Sequence, residues 1–554
     1  MPPRGWLVVI ASTSEPCEVQ VAELQWERIQ LVVRLRSAPE STLDLTGNQF
    51  FLRSTAPDRE PLPAINAREQ APNPGERLIR FNVFAGPGRM PLEPGRWELW
   101  MGRTGVDAEW CPVGPDPSLA ASGGGPRDFM FGRSMYRVDL RTGAERPLSV
   151  VISVWATAGR DGWQNPMRRL SQWSRRSRRT AWVRLFQAIV GSLRKLPRTG
   201  RLIVFTSDSR TELGGNLKLI YDRMVSRGLD RRYQLRTIFK PSIRTPRTFR
   251  GRLRLVWLLA MADVILLDDY QPAIYHLEPR PDVRIIQLWH AWGAFKTVGY
   301  SRIGKPGGTS PYSSVHKNYT YATVSSAHEV PFYAEAFGIP EDSVIPTGTP
   351  RMDEFLDRSR QRAGRDRALQ LFPAARDRRV LLFAPTFRGA GARQARYPMG
   401  MIDLEALHAV CEEVDAVVIF KMHPFVRRRL EIPADLGDRL LDASGLPIEV
   451  NDLLVIADLL ITDYSSLVFE YSTLNRPMLF FAYDLETYVA ERDFYEPFEE
   501  FVPGRIVRTF PELLTAIRRQ DYQLEKVAPF ARRHLPEGEG TASDRIIDEL
   551  ILRR

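Results

Sequence analysis

The chain has 554 residues, 44% of them hydrophobic, and a formal net charge of +11. That length allows three or four domains and excludes a globally disordered chain, while the basic excess implies an anionic partner: nucleic acid, anionic lipid or a polyanionic substrate. Three distant cysteines, Cys17, Cys111 and Cys411, fit a reducing compartment without a structural zinc site, and no apolar run approaches the ~18 residues of a membrane span. The expectation is a soluble protein, cytosolic unless held at a surface.

Residues 1–155 carry short strand patterns, at 18–21, 30–35, 78–84 and 97–101, separated by turn-rich stretches such as 123–126. Evenly spaced strands without helical periodicity predict an all-β, sandwich-like accessory module. Residues 156–200 change character. From Pro166 to Arg201 there are eleven Lys or Arg and no Asp or Glu. Trp182, Leu185, Phe186, Ile189, Val190 and Leu193 fall on one helical face, with Trp163 and Trp173 upstream. A basic amphipathic helix with tryptophans suits the headgroup region of an anionic membrane surface. The competing reading packs that face onto the next domain. No nucleic-acid module accompanies the patch, so nucleic acid is not expected as a partner.

Residues 201–365 and 366–554 each alternate strand and helix patterns, which predicts two doubly wound α/β domains facing a cleft. In such sheets ligands bind beyond the carboxyl ends of the strands. Residues 458–470 fit that rule: an apolar strand turns through Thr462, Asp463 and Tyr464 into Ser465 and Ser466, where a helix begins. Unpaired first-turn N–H groups and the helix dipole favour an anion there, so a phosphate-bearing ligand is predicted.

Two histidines stand directly after strands, one in each half: His290 and His423. A histidine titrating near neutrality is the usual general base for a hydroxyl nucleophile. Lys421, His423 and Arg427 form a cationic cluster that can neutralise a pyrophosphate, and Lys296 and Arg388 are placed to meet a second phosphate. Asp268 and Asp269 are read as the end of a strand entering a turn rather than as a metal pair. P-loop, dinucleotide-fingerprint and nucleophile-elbow motifs are absent. Charge stabilisation by protein cations and backbone amides is expected, with no cofactor and no obligatory metal.

The ordered motifs resemble those of the CDP-glycerol glycerophosphotransferases, the teichoic-acid polymerase and primase family. They are Gly215-Asn216, Trp289-His290-Ala291-Trp292-Gly293 with downstream Lys296, Gly348-Thr-Pro-Arg351-Met-Asp353, Ala384-Pro-Thr-Phe-Arg388, Lys421-Met-His-Pro424 and Thr462-Asp-Tyr-Ser-Ser-Leu-Val-Phe-Glu470. The resemblance covers about residues 200–550. It implies a GT-B-like pair of Rossmann-type domains and transfer of glycerol or ribitol phosphate from a CDP-polyol to a hydroxyl acceptor, releasing CMP, in teichoic-acid-like polymer synthesis. It further implies His290 as general base, with His423, Ser465, Ser466 and Glu470 binding the CDP-polyol. The acceptor would be lipid-linked, and the protein peripheral at the cytoplasmic face of the membrane; a homo-oligomer is compatible. Two positions depart from the pattern: Trp-His-Ala replaces Trp-His-Gly, and Glu470 stands where Asp is usual. The alternatives are a nucleotide-sugar glycosyltransferase of the same architecture and a non-catalytic polymer-binding protein at the membrane surface.

Overall fold

The computed structural model describes residues 18–37, 45, 48–66, 73, 75–102, 110–116, 125–132, 134–143, 146–156, 183–198, 200–242, 245, 247–389, 394–536 and 541–553. The chain divides into two units. The first comprises residues 1–176 with 298–317 and 335–339, and the second comprises 177–297, 318–334 and 340–554.

In the first unit, period-two alternation builds two sheets. One has the spatial order Ile65–Asn66, Glu76–Asn82, Gln30–Ser37, Val19–Glu27, Gly114–Pro115, antiparallel except for the last pair. The other has the order Arg127–Phe131, Ser134–Gly143, Arg146–Ala156, Gly95–Gly102, Gln49–Ser54, Leu62–Pro63, with Trp110–Pro112 also on Gly95–Gly102. Alternate residues point the same way along a strand, so Leu31, Val33 and Leu35 of one sheet and Trp97, Leu99 and Met101 of the other meet in a single core. Tyr300 and Ile303 join that core. Their segment was expected in the first α/β domain, but periodicity does not report which core a connecting segment enters.

The second unit contains two six-stranded parallel sheets. The first is ordered Gln234–Phe239, Leu202–Ser207, Val264–Leu267, Arg284–Gln287, Tyr321–Thr323, Val344–Ile345. The second is ordered Leu440–Asp442, Ala416–Phe420, Arg379–Phe383, Leu459–Thr462, Met478–Phe481, Arg505–Val507. The central strands are apolar on both faces, as in Val264–Leu267 and Met478–Phe481, because helices cover both sides of a parallel sheet. In each sheet the chain's first strand lies inside, flanked by its second and third strands in the first sheet and by its second and fourth in the second, and this reversal of strand order creates a crevice at the carboxyl ends.

Two expectations change here. The last segment of the chain, predicted to belong with the second sheet, packs on the first. Ile546, Ile547, Leu550 and Ile551 share a core with Ile203, Phe205, Val264 and Ile286. Arg284 Nη1 donates to the Leu550 and Ile551 carbonyls at 2.9 and 2.7 Å. The second change concerns the basic segment. Residues 183–193 are helical, but Phe186 and Val190 are buried, and only Leu185 of the apolar set stands half exposed. Arg280 donates to the Leu193 carbonyl at 3.2 Å and Arg194 to the Pro279 carbonyl at 2.8 Å. The face predicted to meet a membrane is turned into protein, because burying Phe186 and Val190 there removes them from water just as a bilayer would. Trp163, Trp173 and Trp182 lie outside the described residues. Among the described residues no helix is long and apolar enough to cross a membrane.

The return of the chain end is fixed by Asp353. Its carboxylate accepts from Ala542 N at 2.7 Å, Ser543 N at 2.8 Å and Ser543 Oγ at 2.6 Å, capping the final helical segment. Asp353→Ala leaves these donors without a partner and should cost about 2 kcal/mol. Chemical denaturation should show a lowered midpoint, and an unchanged midpoint would remove the cap from the fold's supports.

Candidate active site

A cavity of about 820 Å³ opens where the carboxyl ends of the two parallel sheets face each other. Every loop on it follows a strand: His290 after Arg284–Gln287, Ala384 to Phe387 after Arg379–Phe383, Lys421 to Pro424 after Ala416–Phe420, and Ser465 to Glu470 after Leu459–Thr462. The two histidines singled out from sequence therefore line one cleft from opposite sheets.

His290 sits on a turn held from three sides. Trp289, just before it, has φ 52°, a left-handed conformation that costs a bulky residue about 1–3 kcal/mol unless its surroundings enforce it. They do. Trp289 N donates to Gln287 Oε1 at 2.9 Å, Asn216 Nδ2 donates to the Trp289 carbonyl at 2.7 Å, and Arg351 Nη1 donates to the His290 carbonyl at 3.3 Å. Asp269 Oδ2 lies 3.9 Å from His290 Nδ1, which leaves Nε2 for the cleft. Partial desolvation by the surrounding walls lowers the imidazole's pKa below its ordinary 6.5, although 45% of the side chain stays exposed, and the neighbouring Asp269 charge opposes the shift. The ring is therefore neutral and basic at pH 7.

The segment after His290 leaves the first sheet and enters the core of the second. Phe295 stacks on Phe494 and Phe501 at 4.9 Å each, and Lys296 forms a backbone bridge to Phe494. Gly293 is the pivot. Its φ is +77°, and a Cβ there would lie 2.1 Å from Phe469 Cζ. The glycine of the motif is thus required at this position, where the backbone meets an aromatic ring. Ala291 lines the cavity, so a methyl group is accommodated where the family pattern has glycine.

On the opposite wall, His423 Nδ1 accepts from Phe425 N at 3.1 Å, so the neutral ring carries its proton on Nε2. Burial and then the Lys296 charge lower its pKa. Lys296 also lines the cavity, and its pKa is pushed down to about 8, chiefly by desolvation. An approaching anion would favour its charged form. Ser465, Ser466 and Glu470 line the same space. The helix that follows, Leu467–Ser472, has only six residues, and Ser465 Oγ already accepts from Leu467 N at 3.3 Å. This turn therefore presents hydroxyls to the cavity rather than the dipole of a long helix. Glu470 is 4% exposed; Arg351 Nη2 stands 3.7 Å from its Oε1, while its buried Oε2 has no hydrogen-bond partner. Desolvation raises its pKa.

Five expected ligand contacts fall elsewhere. Thr462 Oγ1 donates to the Ala384 carbonyl at 2.7 Å, and Asp463 Oδ1 accepts from Thr386 N and Tyr464 N at 2.8 and 2.6 Å. Both stitch the serine turn to the neighbouring loop beneath the cavity. Arg388 pairs with Asp463 at 2.9 Å and with Asp484 at 2.6 Å, amid the rings of Tyr464, Tyr483 and Tyr488. Its donors are committed within the protein. Lys421 does border the cavity, but its ammonium donates to the Ala443 and Ile448 carbonyls at 2.9 and 3.0 Å, holding the 443–450 loop. Arg427 is exposed, in an irregular segment, and does not line the cavity. Conversely, sequence reasoning gave no site role to Asp269, Asn216 or Arg351. Asp269 follows an apolar strand as His290 does, which was the available signal. Among the described residues no group of three His, Cys, Asp or Glu side chains is placed to hold a metal ion.

The family model for CDP-Glycerol:Poly(glycerophosphate) glycerophosphotransferase matches residues 190–552. The teichoic acid ribitol-phosphate polymerase TarK of Staphylococcus aureus (strain NCTC 8325 / PS 47) is 47% identical over 370 residues, covering 67% of this chain and 72% of TarK. The teichoic acid ribitol-phosphate polymerase TarL of the same strain is 47% identical over 352 residues, covering 64% of this chain but 62% of TarL, less than two thirds of its length. A structure of the wall teichoic acid polymerase TagF, a histidine-to-asparagine variant soaked with CDPG, superposes with a TM-score of 0.50 at 25% identity over 63% of this chain and 88% of that one.

Gly293→Ala should destabilise the fold by about 2–4 kcal/mol, from the left-handed backbone and the collision with Phe469. It should also abolish turnover by displacing the His290 turn. Thermal unfolding and turnover measured together test this, and a variant as stable and active as the parent would refute the pivot.

Proposed function

Because the chain belongs to the CDP-glycerol:poly(glycerophosphate) glycerophosphotransferase family, we propose how its cleft transfers a polyol phosphate from a CDP-polyol to a hydroxyl acceptor with release of CMP. The observation that carries the mechanism is the convergence of His290 and His423 on one cavity from two sheets. The acceptor hydroxyl attacks the donor's β-phosphorus. A new P–O bond forms while the bond from that phosphorus to the bridging oxygen breaks, and CMP keeps the electron pair. His290 Nε2 takes the hydroxyl proton, with Asp269 favouring the resulting imidazolium. His423 Nε2–H and Lys296 meet the charge that develops on the departing phosphate, and Ser465 and Ser466 hold the pyrophosphate. The unpartnered Glu470 Oε2 accepts a hydroxyl of the ribose or polyol. Phosphoryl transfer depends on positioning and charge stabilisation, which these groups supply without an obligatory metal.

The polyol is ribitol in this reading, since both relatives at 47% identity are named ribitol-phosphate polymerases. The two parallel sheets form a GT-B-like pair, the first binding acceptor and the second binding donor, and the two-sheet first unit is an accessory β-sandwich. The acceptor is lipid-linked and the enzyme lies on the cytoplasmic face of an anionic membrane. Supporting that placement, the helix Phe249–Met261 exposes Phe249 (66%), Leu253 (39%) and Trp257 (49%) at i, i+4 and i+8, beside exposed Arg250 and Arg254. This stripe has the aromatic, apolar and basic character once expected of residues 156–200.

CMP release should be measured over CDP-ribitol, CDP-glycerol and a UDP-sugar control with a polyol-phosphate acceptor. CDP-ribitol should be used best, and UDP release would instead favour a glycosyltransferase. His290→Asn should lower the rate by about 10²–10⁴-fold while donor still binds. Since burial holds His290 below 6.5, the base stays unprotonated as pH falls toward that value, and the acid limb of kcat/KM should lie below pH 6.5. A limb above it would sink the base assignment. For the membrane, replacing Phe249, Leu253 and Trp257 with Ser should abolish sedimentation with phosphatidylglycerol vesicles while leaving turnover of soluble substrates intact. Undiminished sedimentation would move the contact elsewhere.

A further inference from the structure

A second cavity, of about 310 Å³, lies on the first parallel sheet away from the donor loops. It opens beyond the carboxyl ends of Leu202–Ser207, Gln234–Phe239 and Val264–Leu267, at the point where the strand order of that sheet reverses. This is the position at which doubly wound sheets bind ligands. Its apolar wall comes from Phe186, Leu255 and Val256, contributed by the helix at 183–193 and the inner face of Phe249–Met261. Its polar wall is built from the ends of the three strands.

The polar wall has more positive than negative charge. Lys240 Nζ lies 3.0 Å from Asp208 Oδ2 and Arg247 Nη2 lies 2.7 Å from Asp208 Oδ1, so two cations share one carboxylate, and Arg252 adds a third. Gln271 supplies the complementary feature. It is fully buried, its Nε2 donates to Thr206 Oγ1 at 2.8 Å, and its Oε1 has no hydrogen-bond partner although the residue lines the cavity. An unpaired buried carbonyl oxygen costs about 1–3 kcal/mol unless a donor reaches it. Cations for an anion, a carbonyl for a hydroxyl and an apolar wall for a short carbon chain describe one chemical class: a phosphorylated polyol.

We propose that the Lys240–Arg252–Gln271 cavity is an acceptor subsite that takes a polyol-phosphate unit of the growing chain. The placement rests on the transfer reaction proposed above. The loop 268–271 joins the two regions: Asp269 stands beside His290, and Gln271, two residues on, faces the cavity. Their Cα atoms are at most about 7 Å apart. A unit held at Gln271 and Lys240 therefore directs the adjoining hydroxyl along this loop toward the base.

The experiment uses the full chain and a water-soluble ribitol-phosphate oligomer. Acceptor KM and oligomer affinity by calorimetry are compared among the parent, a Lys240→Gln/Arg252→Gln double variant and Ala273→Phe. Ala273 lines the cavity, and the larger side chain fills it without removing a polar group. Both variants should raise acceptor KM and weaken oligomer binding by at least about tenfold, the scale of one charge-assisted hydrogen bond, while the CDP-ribitol dissociation constant is retained. Free ribitol 5-phosphate should compete with the oligomer in the parent, and inorganic phosphate should compete more weakly. If both variants melt like the parent and keep its acceptor KM and oligomer affinity, the subsite is overturned. Failure of the parent to release CMP from any CDP-polyol would strike the reaction instead, and oligomer binding would still decide the subsite.

Discussion

Everything at the cleft depends on one segment that begins on one sheet and ends in the core of the other. His290 is carried by the first sheet, yet within five residues Phe295 is stacked between Phe494 and Phe501. Gly293 allows that passage, because only a residue without a Cβ fits against Phe469 at φ +77°. The crossing does more than connect. It brings Lys296 to the wall that carries His423, so the positions of His290 and Lys296 on the cavity are set by the same backbone. Aromatic packing in a water-excluded core therefore determines the spacing of these cavity-lining groups, and interior close packing resists its change.

The cations around the cleft divide by what already holds them. Arg388 is spent on Asp463, Asp484 and a ring of tyrosines, and its task is to stiffen the serine turn from below. Lys421 is spent on backbone carbonyls and shapes the loop that walls the cavity. Lys296 differs, for its pKa is pushed down to about 8 and an anion would relieve it. A similar contrast separates Glu470, whose Oε2 has no hydrogen bond and whose nearest cation, Arg351, stands 3.7 Å from Oε1, from Asp463, whose Oδ1 accepts from two backbone amides and whose Oδ2, also without a hydrogen bond, faces Arg388 at 2.9 Å. Such residual demand, rather than charge alone, separates the cavity-lining groups that would gain from a ligand from those already held by the protein.

The two α/β halves were legible because each central strand is an apolar run and each polar motif follows one, a local pattern that survives folding. His290, His423, Ser465, Ser466, Lys296 and Glu470, picked out by that pattern, all line the one cavity. Thr462, Asp463 and Arg388 follow the same pattern but are held within the protein and do not line the cavity, because sequence shows a residue's proximity to a turn and not the direction of its side chain. Asp269, Asn216 and Arg351 were passed over because their roles arise from contacts across 21, 73 and 61 positions or more. The apolar face of the 183–193 helix was correctly read as a face, but periodicity cannot tell a protein surface from a lipid one. The exposed stripe of Phe249, Leu253 and Trp257 was missed because an apolar residue's exposure depends on what packs beside it.

Glu470 also gains a physical reading. Arg351 N donates to Asn216 Oδ1 at 3.1 Å, its Nη1 to the His290 carbonyl, and its Nη2 approaches Glu470 Oε1 at 3.7 Å. One arginine thus ties the turn that carries His290 to Glu470. A shorter aspartate would draw the carboxylate back toward its own helix and away from Arg351. The extra methylene lets one oxygen keep that link while the other stays free for a ligand hydroxyl. Desolvation alone would favour a neutral Glu470, and Arg351 is the group that opposes it. Displacing Arg351 would consequently alter two things together, the electrostatic setting of Glu470 and the seat of His290. The departure from the family's usual aspartate therefore falls at the contact through which the two halves of the site act on one another.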